Sequence, residues 1–123
     1  MSFRWEKFLA VAETLSNADL GADREACLRS AVSRAYYAAF GSARSHAREQ
    51  RLRTRQSASE HGEVSVFIAQ TYGDTGREIA KHLSRLRTNR NIADYDDVCE
   101  DAEGLSRESI AYARRVLNLL ASL

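Results

Sequence analysis

The sequence predicts an all-α fold: an antiparallel up-and-down bundle of four main helices with one extra short helix. Three observations carry this. The 123 residues include no proline and only six glycines, while alanine, leucine, arginine and glutamate, which lose little on entering a helix, dominate. Apolar residues recur at spacings of three and four through five successive segments. The breaks between these segments are short, and short connections favour antiparallel neighbours. The length suits one domain, residues 1–123, with a core but no room for a second domain.

Taken in order, Ser2 is placed as the cap of a first helix with Trp5, Phe8, Leu9, Ala12 and Leu15 on one side, ending near Asn17 to Gly21. Asp23 caps a long second helix, on which Leu28, Ala31, Val32, Ala35, Tyr36, Ala39, Phe40 and Ala43 form a broad apolar stripe reaching Arg48 or beyond. Its neighbouring face, Ser30, Arg34, Tyr37, Ala38 and Gly41, is small enough for a second helix to approach closely. Arg53 to Glu60 has no apolar period and reads as an exposed basic loop. A short third helix runs from Gly62 to Tyr72 with Val64, Phe67 and Ile68, and Gly73 to Gly76 ends it. The fourth helix runs from Thr75 to Ile92. After an acidic bend, a fifth from Asp101 to Ala121 presents Leu105, Ile110, Ala113, Val116, Leu117 and Leu120. Trp5, Phe8, Val32, Tyr36, Leu83, Leu86, Val116 and Leu117 are the expected core.

The net charge of +1 conceals segregation. Arg44, Arg48, Arg51, Arg53 and Arg55 cluster, as do Arg77, Lys81, Arg85, Arg87 and Arg90, before Asp94, Asp96, Asp97, Glu100, Asp101 and Glu103 reverse the sign. Such patches either recruit phosphate backbones or are solvated faces. No stretch is long and apolar enough to span a bilayer, and Arg4, Glu6 and Lys7 break any signal-peptide pattern, so a cytoplasmic protein is expected. Cys27 and Cys99 lack metal-ligand or disulfide-framework spacing and read as reduced structural thiols. Asp94, Asp96 and Asp97 lack the glycine and spaced glutamate of a calcium loop. Neither a metal nor a cofactor is expected.

Arg90 stands out, because the stripe Ile79, Leu83, Leu86, Arg90, Ala93 puts a guanidinium on an apolar face, where it needs a partner. With Asp94 and Tyr95 it forms either a helix-end ion pair or the lining of a pocket or dimer cleft. Arg34 and Tyr37 either pack between helices or contact a ligand. His61 either abuts the third helix or acts as an acid–base group. His82 lies roughly 12 Å from Arg90 by helix rise, too far for direct contact.

The run Leu28 to Phe40, with Ser33-Arg34-Ala35-Tyr36-Tyr37-Ala38-Ala39-Phe40, resembles a helix of bacterial and archaeal HEPN-domain proteins. His61, Val64 and Phe67, then Leu83, Leu86, Arg87, Arg90 and Ala93-Asp94-Tyr95, follow in that family's order, so the resemblance spans about residues 3–120. It implies a helical bundle that commonly dimerises, whose members are RNA-cutting toxins, defence nucleases or binding modules beside nucleotidyltransferases. Nuclease members carry an arginine followed four to six residues later by a histidine, two copies meeting in a metal-independent site. Here Tyr95, Asp96 and Asp97 stand beyond Arg90, and Ile92, Ala93 and Asp94 beyond Arg87, none of them histidine. An aspartate beside an arginine favours its ionised form and is a poor substitute for an imidazole acid–base group.

The expectation is therefore a homodimeric module binding RNA or a nucleotide through Arg34, Tyr37, Arg51, Arg53, Arg55, Arg87, Arg90 and Asn91. It would belong to a toxin–antitoxin or defence system and have weak or absent nuclease activity. Two alternatives are open: a metal-independent endoribonuclease toxin using Arg90, Asp94, Tyr95 or His61, and a non-catalytic scaffold or partner of a nucleotidyltransferase.

Overall fold

The computed structural model describes residues 2–17, 19–50 and 59–123. Its five helices are α1 (Lys7–Asn17), α2 (Arg24–Glu49), α3 (Glu60–Thr71), α4 (Gly73–Tyr95) and α5 (Ala102–Ala121). They form an all-α bundle in which α3 is the extra short element. Asp23 caps α2 as expected, its carboxylate accepting from the Ala26 amide at 2.9 Å, and Asp101 caps α5 through Gly104 in the same way. Arg51, Arg53 and Arg55, and the loop expected from Arg53 up to residue 58, lie outside the described residues.

The helix α2 touches each of the other four, and the remaining contacts run α1 to α5, α5 to α4 and α4 to α3. Among the described residues α1 meets neither α3 nor α4. The four outer helices thus form an open ring around α2, with its gap between α1 on one side and α3 and α4 on the other. Alanines make this close packing around α2 feasible: Ala31, Ala35, Ala38, Ala39, Ala43 and Ala47 are all fully buried. Around them Val64, Ile68, Ile79, Leu83, Leu86 and Val116 are also fully buried, each contributing about 1.5–3 kcal/mol by leaving water.

Several expectations need correction. Ser2 does not cap α1; three turn bonds, from the amides of Lys7, Phe8 and Leu9 to the carbonyls of Arg4, Trp5 and Glu6, bring the chain into the helix instead. Trp5, Phe8 and Leu117 are only partly buried. Trp5 and Leu117 line a surface groove of about 470 Å³ with Phe3 and Leu120, whereas the other five core candidates are buried. The helix α3 starts earlier than expected, at Glu60, which is a buried residue rather than part of an exposed loop. Its carboxylate receives Arg44 at 3.2 Å and Arg48 at 2.9 Å from the end of α2.

The break between α3 and α4 is a single turn at Tyr72, made possible by Gly73 at φ +58°. Just beyond it Gly76 lies against α3 so closely that a Cβ would fall 2.1 Å from the Ile68 carbonyl oxygen. The helix α4 also runs on to Tyr95, which places Asp94 and Tyr95 in its last turn rather than in the acidic bend.

Candidate anion-binding face

Toward the gap in the ring α2 presents Arg34, Tyr37 and Arg44, half-buried, with the buried Gly41 among them, at spacings of three and four that return to one helical face. The indole of Trp5 covers Gly41 so closely that a Cβ on residue 41 would meet Cδ2 at 2.3 Å. Arg44 stacks between Trp5 (4.9 Å) and Phe40 (5.5 Å) and is engaged by Glu60, so its charge is already matched.

Arg90 reaches this face from α4. Its side chain is 20 % exposed and its Nε donates to Asp94 Oδ2 at 3.0 Å. One terminal nitrogen donates to Tyr37 Oη at 3.1 Å and Tyr95 Oη at 3.3 Å, and the other reaches Asn91 Oδ1 at 3.4 Å. The rings of Tyr36, Tyr37 and Tyr95 lie 5.7, 5.5 and 5.4 Å from the guanidinium carbon. Burial works against the charge, but Tyr37, Tyr95 and Asp94 more than offset it and hold the guanidinium above its usual pKa. Ser33 Oγ donates to the same Asp94 oxygen at 3.3 Å, fixing the carboxylate from the α2 side. Of the two readings open for Arg90, the ion pair with Asp94 is present, and it is part of a larger Arg–Tyr cluster.

What holds this cluster in place is Arg29, a residue the sequence reading passed over. Its guanidinium donates to the carbonyls of Ala93 (3.2 Å), Asp96 (2.6 Å) and Asp97 (3.3 Å). It thereby satisfies groups that the end of α4 leaves unpaired. Its position, four residues from both Glu25 and Ser33, betrays none of this, because the carbonyls it caps lie on another helix.

Two further arginines differ in kind. Arg34 is stacked between the rings of Phe8 (4.8 Å) and Tyr37 (5.2 Å), and Arg87 lies close enough to depress the proton affinity of His61. Neither guanidinium makes a hydrogen bond or ion pair among the described residues. Arg34, Tyr37, Arg90, Asn91, Asp94 and Tyr95 are therefore joined by contacts across α2 and α4, while Arg87 is set toward His61 and Tyr36.

His61 is also drawn to this region. It belongs to the first turn of α3, is 9 % exposed, and stacks on Tyr36 and Phe40 at 5.9 and 5.5 Å. Its Nδ1 is 3.1 Å from Tyr36 Oη. Burial first, and the Arg87 charge second, push its pKa down to about 4, while burial and then the neighbouring Tyr37 push the Tyr36 phenol up to about 12. At neutral pH this pairs a neutral phenol with a neutral imidazole, the tautomer of the ring deciding which of the two donates. His82 is elsewhere: it meets Glu78 at 3.2 Å and stacks on Tyr112 of α5 at 5.0 Å.

Among the described residues no group of three His, Cys, Asp or Glu side chains is placed to hold a metal ion, and no helix is long and apolar enough to cross a membrane. Cys27 and Cys99 are free thiols. No curated protein and no solved structure matches the chain. A family model does: that of the HEPN domain, over residues 6–123. The match extends from the segment that leads into α1 to the end of α5, taking in the Arg34–Tyr37 stripe and the Arg90 cluster, and the chain belongs to the HEPN domain family.

Proposed function

We propose that this HEPN domain is a nucleotide- or RNA-binding module of the kind that serves toxin–antitoxin and defence systems, and that it holds its ligand by phosphate at the face of α2 and α4. The observation that carries the reading is a pair of guanidinium groups, Arg34 and Arg87, that make no hydrogen bond or ion pair among the described residues, whereas Arg90 does. A guanidinium that is half-buried and lacks a carboxylate retains its in-plane donors, and these match phosphate oxygens in fork geometry. Arg90 has a different task. With Nε on Asp94 and a terminal nitrogen on two phenols, it supports the face and adds positive potential.

The test is a titration of the whole domain with short RNA at low salt, followed by fluorescence anisotropy. Arg34→Ala and Arg87→Ala should each weaken binding and reduce the salt slope by about 0.7 for a single strand. Unchanged affinity in both variants refutes the reading.

A second reading, metal-independent RNA cleavage, is favoured by one observation: His61, neutral and hydrogen-bonded to Tyr36, feels the charge of Arg87. Its proton affinity is far below that of an efficient acid–base group at neutral pH, which supports binding with little turnover. Incubation with RNA in a chelator decides between them. Fragments ending in 2′,3′-cyclic phosphate that vanish with His61→Gln establish the nuclease, and intact RNA leaves the binding module.

A further inference from the structure

The groove beside the last turns of α2 shares no residue with the proposed phosphate site. Its volume is about 470 Å³, and Phe3, Trp5, Leu117 and Leu120 line it with apolar surface, a size and lining that suit a small ligand. To these α2 adds Ser42, Ser45, His46 and Glu49, at the spacings that keep side chains on one helical face.

The groove is short of positive charge. The helices α2 and α5 both end at it, with Glu49 and Ala121 in its lining, so the negative ends of two helix dipoles lie there. Basic side chains often answer such ends, but the last turn of α5 carries none, and at the end of α2 Arg48 is committed to Glu60. Among the described residues only Arg4 brings an arginine or lysine to the lining, and it is held by Glu6 at 2.7 Å. Glu49 deepens the deficit. Its carboxylate stands at the negative end of its own helix and makes no hydrogen bond or ion pair among the described residues. Helix stability alone would favour a neutral or basic residue at that position. Polar capacity is left over as well. Ser42 Oγ is buried without a hydrogen-bond partner, and His46, whose Nε2 meets Tyr72 Oη at 2.7 Å, keeps Nδ1 unengaged among the described residues.

We propose that this groove binds a small organic cation: a protonated amine on an apolar body, its ammonium on Glu49 near the two helix ends and its body against Phe3, Trp5, Leu117 and Leu120. The unmatched negative charge selects the ammonium. The apolar lining selects the body, since a bare polyamine would leave that surface wet. A metal ion would find one unpaired carboxylate, too few oxygen ligands to hold it. The site is independent of the phosphate-binding reading and stands or falls without it.

The experiment titrates phenethylamine, its near-isosteric acid hydrocinnamate, and ethylamine into the full chain at low salt. Trp5, the only tryptophan, lines the groove and reports by its emission. Phenethylamine should saturate at about millimolar or below, with hydrocinnamate and ethylamine each at least about fivefold weaker. Glu49→Gln should weaken phenethylamine about threefold or more and narrow its lead over hydrocinnamate. The same change should leave the melting temperature unchanged or raised, because it takes a carboxylate away from a helix C-terminus. A Glu49 with only a structural role would move the melt and not the order of binding. Phe3→Ala, at a residue 49 % exposed, should weaken phenethylamine and leave ethylamine as it was. Hydrocinnamate or ethylamine binding as tightly as phenethylamine, a phenethylamine affinity unmoved by Glu49→Gln, or no saturable signal from any probe overturns the proposal.

Discussion

His61 should make this protein acid-sensitive within a narrow and calculable window. Above about pH 7 the imidazole is neutral in both the folded and the unfolded chain and contributes no pH dependence. As the pH falls through 6.5 the unfolded chain takes up a proton, while the folded chain resists until about 4 because burial and Arg87 disfavour imidazolium. Between those values the unfolded state binds more protons, so stability falls with falling pH, and below about 4 the loss is complete. At about 1.4 kcal/mol for each tenfold change in proton affinity, the full displacement corresponds to at most about 3–4 kcal/mol. Relaxation of α3, whose first turn carries His61, would reduce that figure. The assay is urea unfolding at about pH 7.5, 6.5, 5.5 and 4.5, on the natural chain and on His61→Phe, which fills the stacking position beside Tyr36 and Phe40 but takes no proton. Carboxylates titrate in both proteins and cancel in the difference. The stability advantage of the natural chain should shrink by about 2–3 kcal/mol between the highest and lowest pH. A difference that stays constant refutes the reasoning, since it requires an imidazole that protonates in the fold as readily as in water.

Two other perturbations probe the scaffold beneath the face. Arg29→Ala removes the donor to the carbonyls of Ala93, Asp96 and Asp97; it should cost about 1–3 kcal/mol and speed hydrogen exchange at the Asp96 amide, which bonds to Ile92, and unchanged exchange there argues against the bracket. Gly76→Ala must push α3 off α4, because its Cβ meets the Ile68 backbone; despite the gain in helix propensity it should destabilise by about 1–3 kcal/mol, visible as a melting-temperature drop of several degrees, and a neutral or stabilising result would show that the α3–α4 contact is looser than its geometry.

The helices were legible because periodicity is a one-dimensional signal: the α2 stripe from Leu28 to Ala43 and the α4 series Ile79, Leu83, Leu86, Ala93 are buried as their spacing demands. What the spacing missed is pairing between helices. Asn89, 2 % exposed, donates to Glu108 and Ser109 on α5, and Ser106 donates to Ser16, polar seams that a hydrophobic count reads as gaps. The start of α3 escaped for the same reason, since Glu60 looks like loop until Arg44 and Arg48 are set against it.

At the candidate site the sequence singled out Arg90 correctly as a guanidinium in need of partners, and Asp94 four residues on was the readable one. It could not rank the arginines by how much of their charge is matched. Arg34 and Arg87 look no different in sequence from Arg44, yet Arg44 meets a buried glutamate while the other two pair with no carboxylate among the described residues. On the proposed reading, binding capacity at this face depends on that distinction. A paired guanidinium must give up a carboxylate before it can hold a phosphate, whereas an unpaired one need give up only water. The residues best suited to a ligand are therefore those the fold leaves without a partner, and that property appears only once all the acids have been placed.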